Sequence, residues 1–173
     1  MSDSATLALS PAFERARNLS AVLWWFFLIN FVVTALWLAT VPLLLIWPEI
    51  ARYNLDGSIV AVAGEPMSER VRAVLAIMAR TVPALFLLFH AIRIFDCFRK
   101  GDVFATRPIE HIRAAGFWTI IWAFAPSAAQ LVLQGHVRMK FEPALLAFGI
   151  ATFIAAYVLG EARRIADENA SIL

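Results

Sequence analysis

Cysteine is almost absent from this sequence of 173 residues, in which Cys97 is the only one. A single thiol cannot form a disulfide within the chain, and it cannot build a metal centre on several thiolates. Charged residues are also scarce, at 16% of the chain, whereas an average soluble domain has about 25%. The formal net charge of +2 leaves no strong basic field, so we predict no direct binding to nucleic acid.

Sequence motifs for catalysis and cofactor binding are missing as well. The chain contains no Gly-x-Ser-x-Gly, no His-Glu-x-x-His, no phosphate-binding loop and no dinucleotide-binding fingerprint. Paired carboxylates inside an apolar stretch are absent too, which argues against a proton-driven transporter. We therefore predict a protein that is not an enzyme and that has no cofactor and no metal site.

The sequence is instead rich in apolar residues, which make up 61% of it and include 14 Phe and 6 Trp. About 20 consecutive apolar residues are enough to cross the hydrocarbon core of a bilayer. Four stretches meet this requirement, at residues 19–47, 71–98, 112–134 and 141–160. We predict an all-α integral membrane protein whose four transmembrane helices form a bundle over residues 19–160, with the lipid bilayer as its first partner.

Basic residues indicate how the helices are oriented, because cytoplasmic loops carry an excess of Lys and Arg. With both termini inside, the cytoplasmic side receives Arg15, Arg17, Arg99, Lys100, Arg107, Arg113, Arg163 and Arg164. The other side receives Arg52, Arg70, Arg72, Arg138 and Lys140. We predict a multi-pass protein of the cytoplasmic membrane, with cytoplasmic terminal segments at residues 1–18 and 161–173.

The first exterior loop contains its own structural signal. Asp56 and Gly57 stand between two short runs of β-forming residues. Asp-Gly in this setting is a strong signal for a tight turn between two strands. We therefore expect a short extracytoplasmic hairpin between the first and second transmembrane helices.

One dense stretch of charge interrupts the apolar sequence, FRKGDVFATRPIEHIRAAG at residues 98–116. On the predicted topology it connects the second and third transmembrane helices on the cytoplasmic side. Most of it fits a short turn, because basic residues suit the end of a helix and Gly101 suits the left-handed position that closes one. Val103 and Phe104 are apolar within this polar turn, and they either tuck into the bundle or contact a partner.

This connector resembles that of the bacterial membrane family catalogued as domain of unknown function 2975, in which a Gly-Asp-x-Phe segment leads into the third of four spans. The C-terminal segment, EARRIADENASIL, is similar to the closing segment of the same family. The family has no established activity, but its members often look like partners of small helix-turn-helix regulators. The resemblance therefore implies a membrane-bound regulatory role in a bacterial cytoplasmic membrane. The best-matched residues are Lys100, Gly101, Asp102, Phe104, Gly116, Glu161, Glu168 and Asn169.

The connector and the C-terminal segment fall on the same predicted side of the membrane. We interpret them together as a docking surface for a cytoplasmic protein, such as a small helix-turn-helix regulator, while the simpler interpretation is a turn and a solvated helix end. The residues expected to contact the partner are Arg99, Lys100, Asp102, Phe104, Glu161, Arg164 and Glu168. Small residues such as Gly116 and Gly149 permit close helix packing, which is compatible with a homo-oligomer.

Polar residues within the apolar stretches predict a second site, because an ionisable group inside a bilayer is costly and often functional. His90 is expected near the midplane, on one helical stripe with Arg93 and Cys97. Asn30 and Thr152 reach a similar depth, and we expect one of them to hydrogen-bond to His90. Three interpretations stay open: a satisfied core histidine, a proton- or ligand-sensing residue, and a metal or haem ligand whose second histidine would have to come from another copy of the chain.

Two functional alternatives therefore stand beside the adaptor hypothesis. One is a protein that binds or transports a small molecule or an ion at the intramembrane polar site of His90, Arg93, Asn30 and Thr152. The other is an accessory subunit of a larger membrane complex.

Overall fold

The computed structural model of the chain describes residues 11–46, 66–102, 105–136 and 139–170, and all regular structure within them is helical. The helices are α1 (Pro11–Thr40), α2 (Leu43–Ile46), α3 (Met67–Lys100), α4 (Thr106–Ala123), α5 (Ala125–Gln134) and α6 (Pro143–Ala170). Four stretches are long and apolar enough to cross a membrane: Glu14–Thr40, Met67–Lys100, Thr106–Gln134 and Pro143–Ala170. The predicted all-α fold with four membrane-spanning helices is confirmed, while the hairpin expected at Asp56 and Gly57 lies outside the described residues.

The helices extend beyond the apolar stretches, because ion pairs between charged residues stabilise their end turns. α3 begins at Met67, and α6 continues through the charged segment after residue 160. Ion pairs at helical spacing stabilise such exposed turns by a few tenths of a kcal/mol each. One joins Arg72 to Glu69 at 2.8 Å, at the start of α3. At the other end of α3, Gly101 adopts the predicted left-handed conformation, with φ of 89°.

Proline accounts for two breaks in the helices, because it lacks a backbone N–H and clashes with the preceding turn. α1 ends at Thr40, shortly before Pro42, and the third span divides at Phe124, with Pro126 in the first turn of α5. The carbonyl freed at Ala123 accepts a hydrogen bond from the Glu142 N–H at 3.0 Å, which ties the break to the start of α6.

The long helices form a bundle in which neighbours follow one another in the order α1, α3, α4 with α5, and α6. α3 packs against α1, α4 and α5, whereas α6 packs mainly against α4. The outer faces of the two edge helices carry exposed apolar side chains, including Val22, Phe26, Ile29, Val33 and Leu36 on α1 and Phe148, Ile154 and Val158 on α6. Such faces suit the acyl chains of a bilayer, so the chain is a multi-pass membrane protein.

A close helix contact joins α4 to α6 at Gly116 and Gly149. A side chain added at Gly116 would place its Cβ 2.9 Å from the backbone nitrogen of Phe153 and 3.0 Å from the carbonyl oxygen of Gly149. The two helices therefore touch backbone to backbone, as small residues allow in membrane bundles. The predicted role of these glycines in close packing is confirmed for helices of the same chain.

Candidate functional site

His90 of α3 and His111 of α4 meet between their two helices. Their Nδ1 atoms are 3.1 Å apart, and their ring centroids are 5.3 Å apart. A hydrogen bond between two imidazole nitrogens needs one donor and one acceptor, so one ring donates its Nδ1–H to the bare Nδ1 of the other. Both residues are partly buried. They form a polar contact across an otherwise apolar helix interface.

His90 therefore pairs with His111, and the expectation that it bonds to Asn30 or Thr152 is wrong. The Asn30 amide donates to a carbonyl one turn earlier on α1 at 2.8 Å, and the Thr152 hydroxyl does the same on α6 at 2.8 Å. Short polar side chains on helices often satisfy themselves in this way. Neither Asn30 nor Thr152 hydrogen-bonds to His90, and the intramembrane polar site of His90, Arg93, Asn30 and Thr152 stays a prediction.

His111 lies in α4, within reach of His90 of the same chain, while the interpretation of His90 as a haem or metal ligand stays a prediction. The prediction placed His111 in the connector, because the third apolar stretch begins at residue 112. The helix itself begins at Thr106, which puts His111 in the second turn of α4. α3 continues for about three turns beyond His90. α3 and α4 therefore run side by side at His90 and His111, and the two rings can face each other.

The histidine pair has charged neighbours. Exposed charged side chains flank it on both helices: Arg93 on α3, and Glu110 and Arg113 on α4. The Arg93 guanidinium lies over the ring of Phe89, with its central carbon 5.3 Å from the ring centroid. Charged groups on membrane helices favour the interface over the hydrocarbon centre. The pair lies in the part of the bundle nearer to the connector between α3 and α4, and its depth in the bilayer stays a prediction.

Arg99 and Lys100, which were predicted to contact a partner, are held by the chain itself. Both form ion pairs with Asp96, the Arg99 pair at 2.8 Å. The Arg99 guanidinium also lies over the indole ring of Trp24 in α1, 4.6 Å from a ring centroid. We call these four residues the α1–α3 clasp, because they join the end of α3 to α1 through charge and cation–π contact.

Asp96 is the residue of this cluster that sequence reasoning missed. Its carboxylate is only 19% exposed in these ion pairs, so it is a carboxylate held near the end of an apolar helix. The signal is the spacing, because Asp96 precedes Arg99 by three residues and Lys100 by four, which are the separations at which side chains meet on a helix. Of the other predicted connector contacts, Asp102 is exposed and its N–H donates to the Cys97 carbonyl at 3.0 Å. Phe104 lies outside the described residues.

The three predicted contact residues of the C-terminal segment come together on one stripe of α6. Arg164 forms an ion pair with Glu161 and a second one with Glu168, the latter at 3.1 Å. Arg163 and Asp167 form a looser pair at 3.5 Å on the neighbouring stripe. A shallow groove runs along these side chains. We call residues 161–170 the α6 tail.

The α6 tail begins beside the first turn of α4. A Cβ added at Gly160 would lie 3.9 Å from Cγ2 of Ile109, which is ordinary van der Waals contact. The tail is therefore a neighbour of the α4 half of the connector, whereas the clasp at the α3 half is directed towards α1. The predicted docking surface is thus divided: Glu161, Arg164 and Glu168 are brought together, and Arg99 and Lys100 belong to a separate cluster.

Within the part of the chain that the structure describes, no three side chains of His, Cys, Asp or Glu come together in a way that could hold a metal ion. No family model, no curated protein and no solved structure matches the sequence or the fold.

Proposed function

We propose that this four-span membrane protein is a non-enzymatic regulatory adaptor that holds a cytoplasmic protein on the α6 tail and the first turn of α4. The contact between Gly160 and Ile109 carries the proposal, because it places an exposed helical extension directly beside the start of another helix. A partner could contact the α6 tail and the first turn of α4 at once. A shift of one helix against the other would then change the affinity for the partner.

The composition of the tail supports this role. Ion pairs of Arg164 with Glu161 and Glu168 hold it helical where it leaves the apolar part of α6. A helix formed before binding loses less conformational entropy when a partner docks. Ile165 is 49% exposed among these charges, and a docking protein would bury it. The surface therefore offers both charge complementarity and an apolar anchor.

The basic residues are more numerous at the end of the bundle where α3 meets α4, which supports a cytoplasmic placement of this end. The resemblance of residues 98–116 and of the C-terminal segment to the four-span family supports a regulatory protein as the partner, with a small helix-turn-helix regulator as the leading candidate. Arg99 and Lys100 are left out of this surface, since the clasp already engages them.

A charge-swapped tail tests the adaptor function. Glu161→Lys, Arg164→Glu and Glu168→Lys together reverse the charge at each position, yet keep opposite charges at helical spacing. Affinity purification in a mild detergent, followed by mass spectrometry, should show a soluble protein retained by the wild type and lost from this variant. The matched control is Glu69→Arg with Arg72→Glu, which swaps an equivalent exposed pair at the opposite end of the bundle.

Two results would contradict the proposal. One is retention of the same soluble proteins by the wild type, the tail variant and the control variant, and the other is the absence of any retained soluble protein. The orientation has its own test: a fluorescent reporter fused after Leu173 should be folded and bright in the cytoplasm, and a reporter located outside would overturn the cytoplasmic assignment.

A further inference from the structure

The contact between His90 and His111 has a chemical requirement that the proposed adaptor surface does not use. Neutral imidazole has one N–H and one bare nitrogen, whereas imidazolium has two N–H groups and no acceptor. Nitrogens 3.1 Å apart can therefore share a proton only while at least one of the rings is neutral. When both rings are protonated, two donors and two positive charges face each other at hydrogen-bond distance.

We infer that this histidine pair is a proton-controlled contact between α3 and α4, which holds while one ring is neutral and opens when both are charged. The two rings titrate as a coupled unit, so the contact survives the first added proton and is lost with the second. Histidine in water has a pKa of about 6.5, and its charge therefore changes in the range that cells experience. Both rings are only partly buried within the bundle.

The surrounding charges include both signs. On α3, Arg93 acts electrostatically on His111 and adds to the repulsion. On α4, Glu110 acts on His111 in the opposite sense, and with Arg113 it lines the groove between α4 and α6. Glu110 supplies one negative charge, so two positive rings beside Arg93 would still carry a net positive charge.

The other helices bring no closer titratable group to the pair. α5 has none in its sequence. The charged residues of α1, namely Glu14, Arg15 and Arg17, precede Trp24, which is level with Arg99 and thus beyond the pair. On α6, Tyr157 is exposed and Glu161 follows Gly160, which faces Ile109 on the α6 side of α4. On α3 itself, Asp96 is engaged with Arg99 and Lys100, and Cys97 lies about two turns away.

Opening of the pair would loosen one end of the α3–α4 interface and leave the rest in place. Farther into the bundle, Phe86 of α3 stacks on Trp118 of α4, with centroids 4.4 Å apart and ring planes within 9°. The α4 turn that would move is the one next to the α6 tail. This last step, from the histidine pair to a changed docking surface, depends on the proposed adaptor function, whereas the proton-controlled contact itself does not.

Nuclear magnetic resonance can observe the shared proton directly. In protein labelled with ¹⁵N-histidine and reconstituted in lipid nanodiscs, a coupling between the two Nδ1 nuclei across the hydrogen bond should be present at about pH 7.5 and lost at about pH 4.5. His136, in the exposed turn after α5, is the internal control and should show no such coupling at either pH. Absence of the coupling at the higher pH, or its persistence at the lower one, would overturn the inference.

A stability measurement supplies the second readout. The Tm of the wild type and of His136→Gln should fall by roughly 2–5 °C between about pH 7.5 and pH 5, the size expected for a loss near 1 kcal/mol in a chain of this length. His90→Gln with His111→Gln keeps hydrogen-bonding groups but cannot titrate, so its Tm should change little. The same fall in this double variant as in the wild type would overturn the inference. Neither measurement needs a cytoplasmic partner, so failure here leaves the adaptor proposal standing.

Discussion

The α4–α6 contact and the α1–α3 contact hold their helices together by different means. At the first, Gly116 and Gly149 remove side chains from the interface, and backbone atoms touch across it. At the second, large side chains fill the interface: Phe27 stacks on Phe95 with centroids 5.3 Å apart, and the α1–α3 clasp closes one end. Lipid tails are as apolar as leucine, so both contacts depend on packing and electrostatics rather than on burial from water. The glycine contact should therefore be intolerant of added atoms, and the aromatic contact should weaken gradually.

The largest effect is expected from filling the glycine contact. A Cβ at Gly149 would lie 2.8 Å from a side-chain carbon of Ile120 and 3.0 Å from the Gly116 carbonyl oxygen. Because backbone cannot move aside cheaply, Gly149→Ala and Gly116→Ala should each destabilise the protein by about 1–3 kcal/mol, which lowers Tm by roughly 3–10 °C. Thermal unfolding in lipid nanodiscs provides the measurement.

Gly160→Ala is the matched control for the glycine variants, since its nearest neighbour is 3.9 Å away. It should change stability by no more than about 0.5 kcal/mol. The variant that carries both Gly116→Ala and Gly149→Ala should lose less than the sum of the two, because one outward shift of α6 relieves both clashes. Equal stability of Gly149→Ala and Gly160→Ala would show that α6 is not held at close range.

A smaller effect is expected at the aromatic contact. Trp24→Leu removes the ring that covers the Arg99 guanidinium, and such cation–π contacts contribute about 0.5–2 kcal/mol depending on their exposure to water. The adjacent Trp25 is 58% exposed on the outer face of α1, so Trp25→Leu should be nearly neutral. Thermal unfolding of the two variants side by side measures the difference. Equal losses would mean that the clasp contributes nothing beyond the placement of tryptophan at the membrane surface.

The ion pairs of Asp96 within the clasp should contribute less to stability than the cation–π contact of Trp24 with Arg99. Asp96→Asn leaves Arg99 and Lys100 without their shared counter-ion, and we expect a loss of about 1 kcal/mol, reduced at high salt. Glu161→Gln, in an exposed pair of the α6 tail, should cost no more than a few tenths of a kcal/mol. A larger loss of stability in Glu161→Gln than in Asp96→Asn would contradict a structural role for the clasp and a surface role for the α6 tail.

The features that could be predicted from the sequence are those that the bilayer or the local backbone imposes. The four spans follow from hydropathy, and the left-handed closure at Gly101 follows from the residue type. The partner of His90 could not be predicted in this way, because a contact between helices depends on their relative offset and rotation, which no single apolar stretch encodes. α4 begins at Thr106, whereas the predicted stretch began at residue 112. The earlier start places His111 within the helix and beside α3.

The ion pairs of the clasp, in contrast, could have been predicted, because the spacing of Asp96, Arg99 and Lys100 is visible in the sequence. Basic residues at the end of an apolar helix are usually assigned to lipid headgroups or to a partner. Asp96, one turn earlier, competes for both Arg99 and Lys100 at the spacing that favours helical ion pairs. Only the contact of Arg99 with Trp24 could not be predicted from local spacing, because Trp24 belongs to another helix.

The smallest effect is expected at Asn30, on the outer face of α1. Its amide is exposed and donates to a carbonyl of its own helix at 2.8 Å, so no contact between helices is lost in Asn30→Leu. Exposed Leu suits lipid at least as well as Asn does, and the free energy of unfolding in nanodiscs should change by less than about 0.5 kcal/mol. Thr152→Val, on α6, is the companion variant with the same expectation. A loss above about 1 kcal/mol in Asn30→Leu alone would mean that a second copy or another membrane protein covers α1 at this position, and that the aromatic side of the bundle continues into a further helix contact.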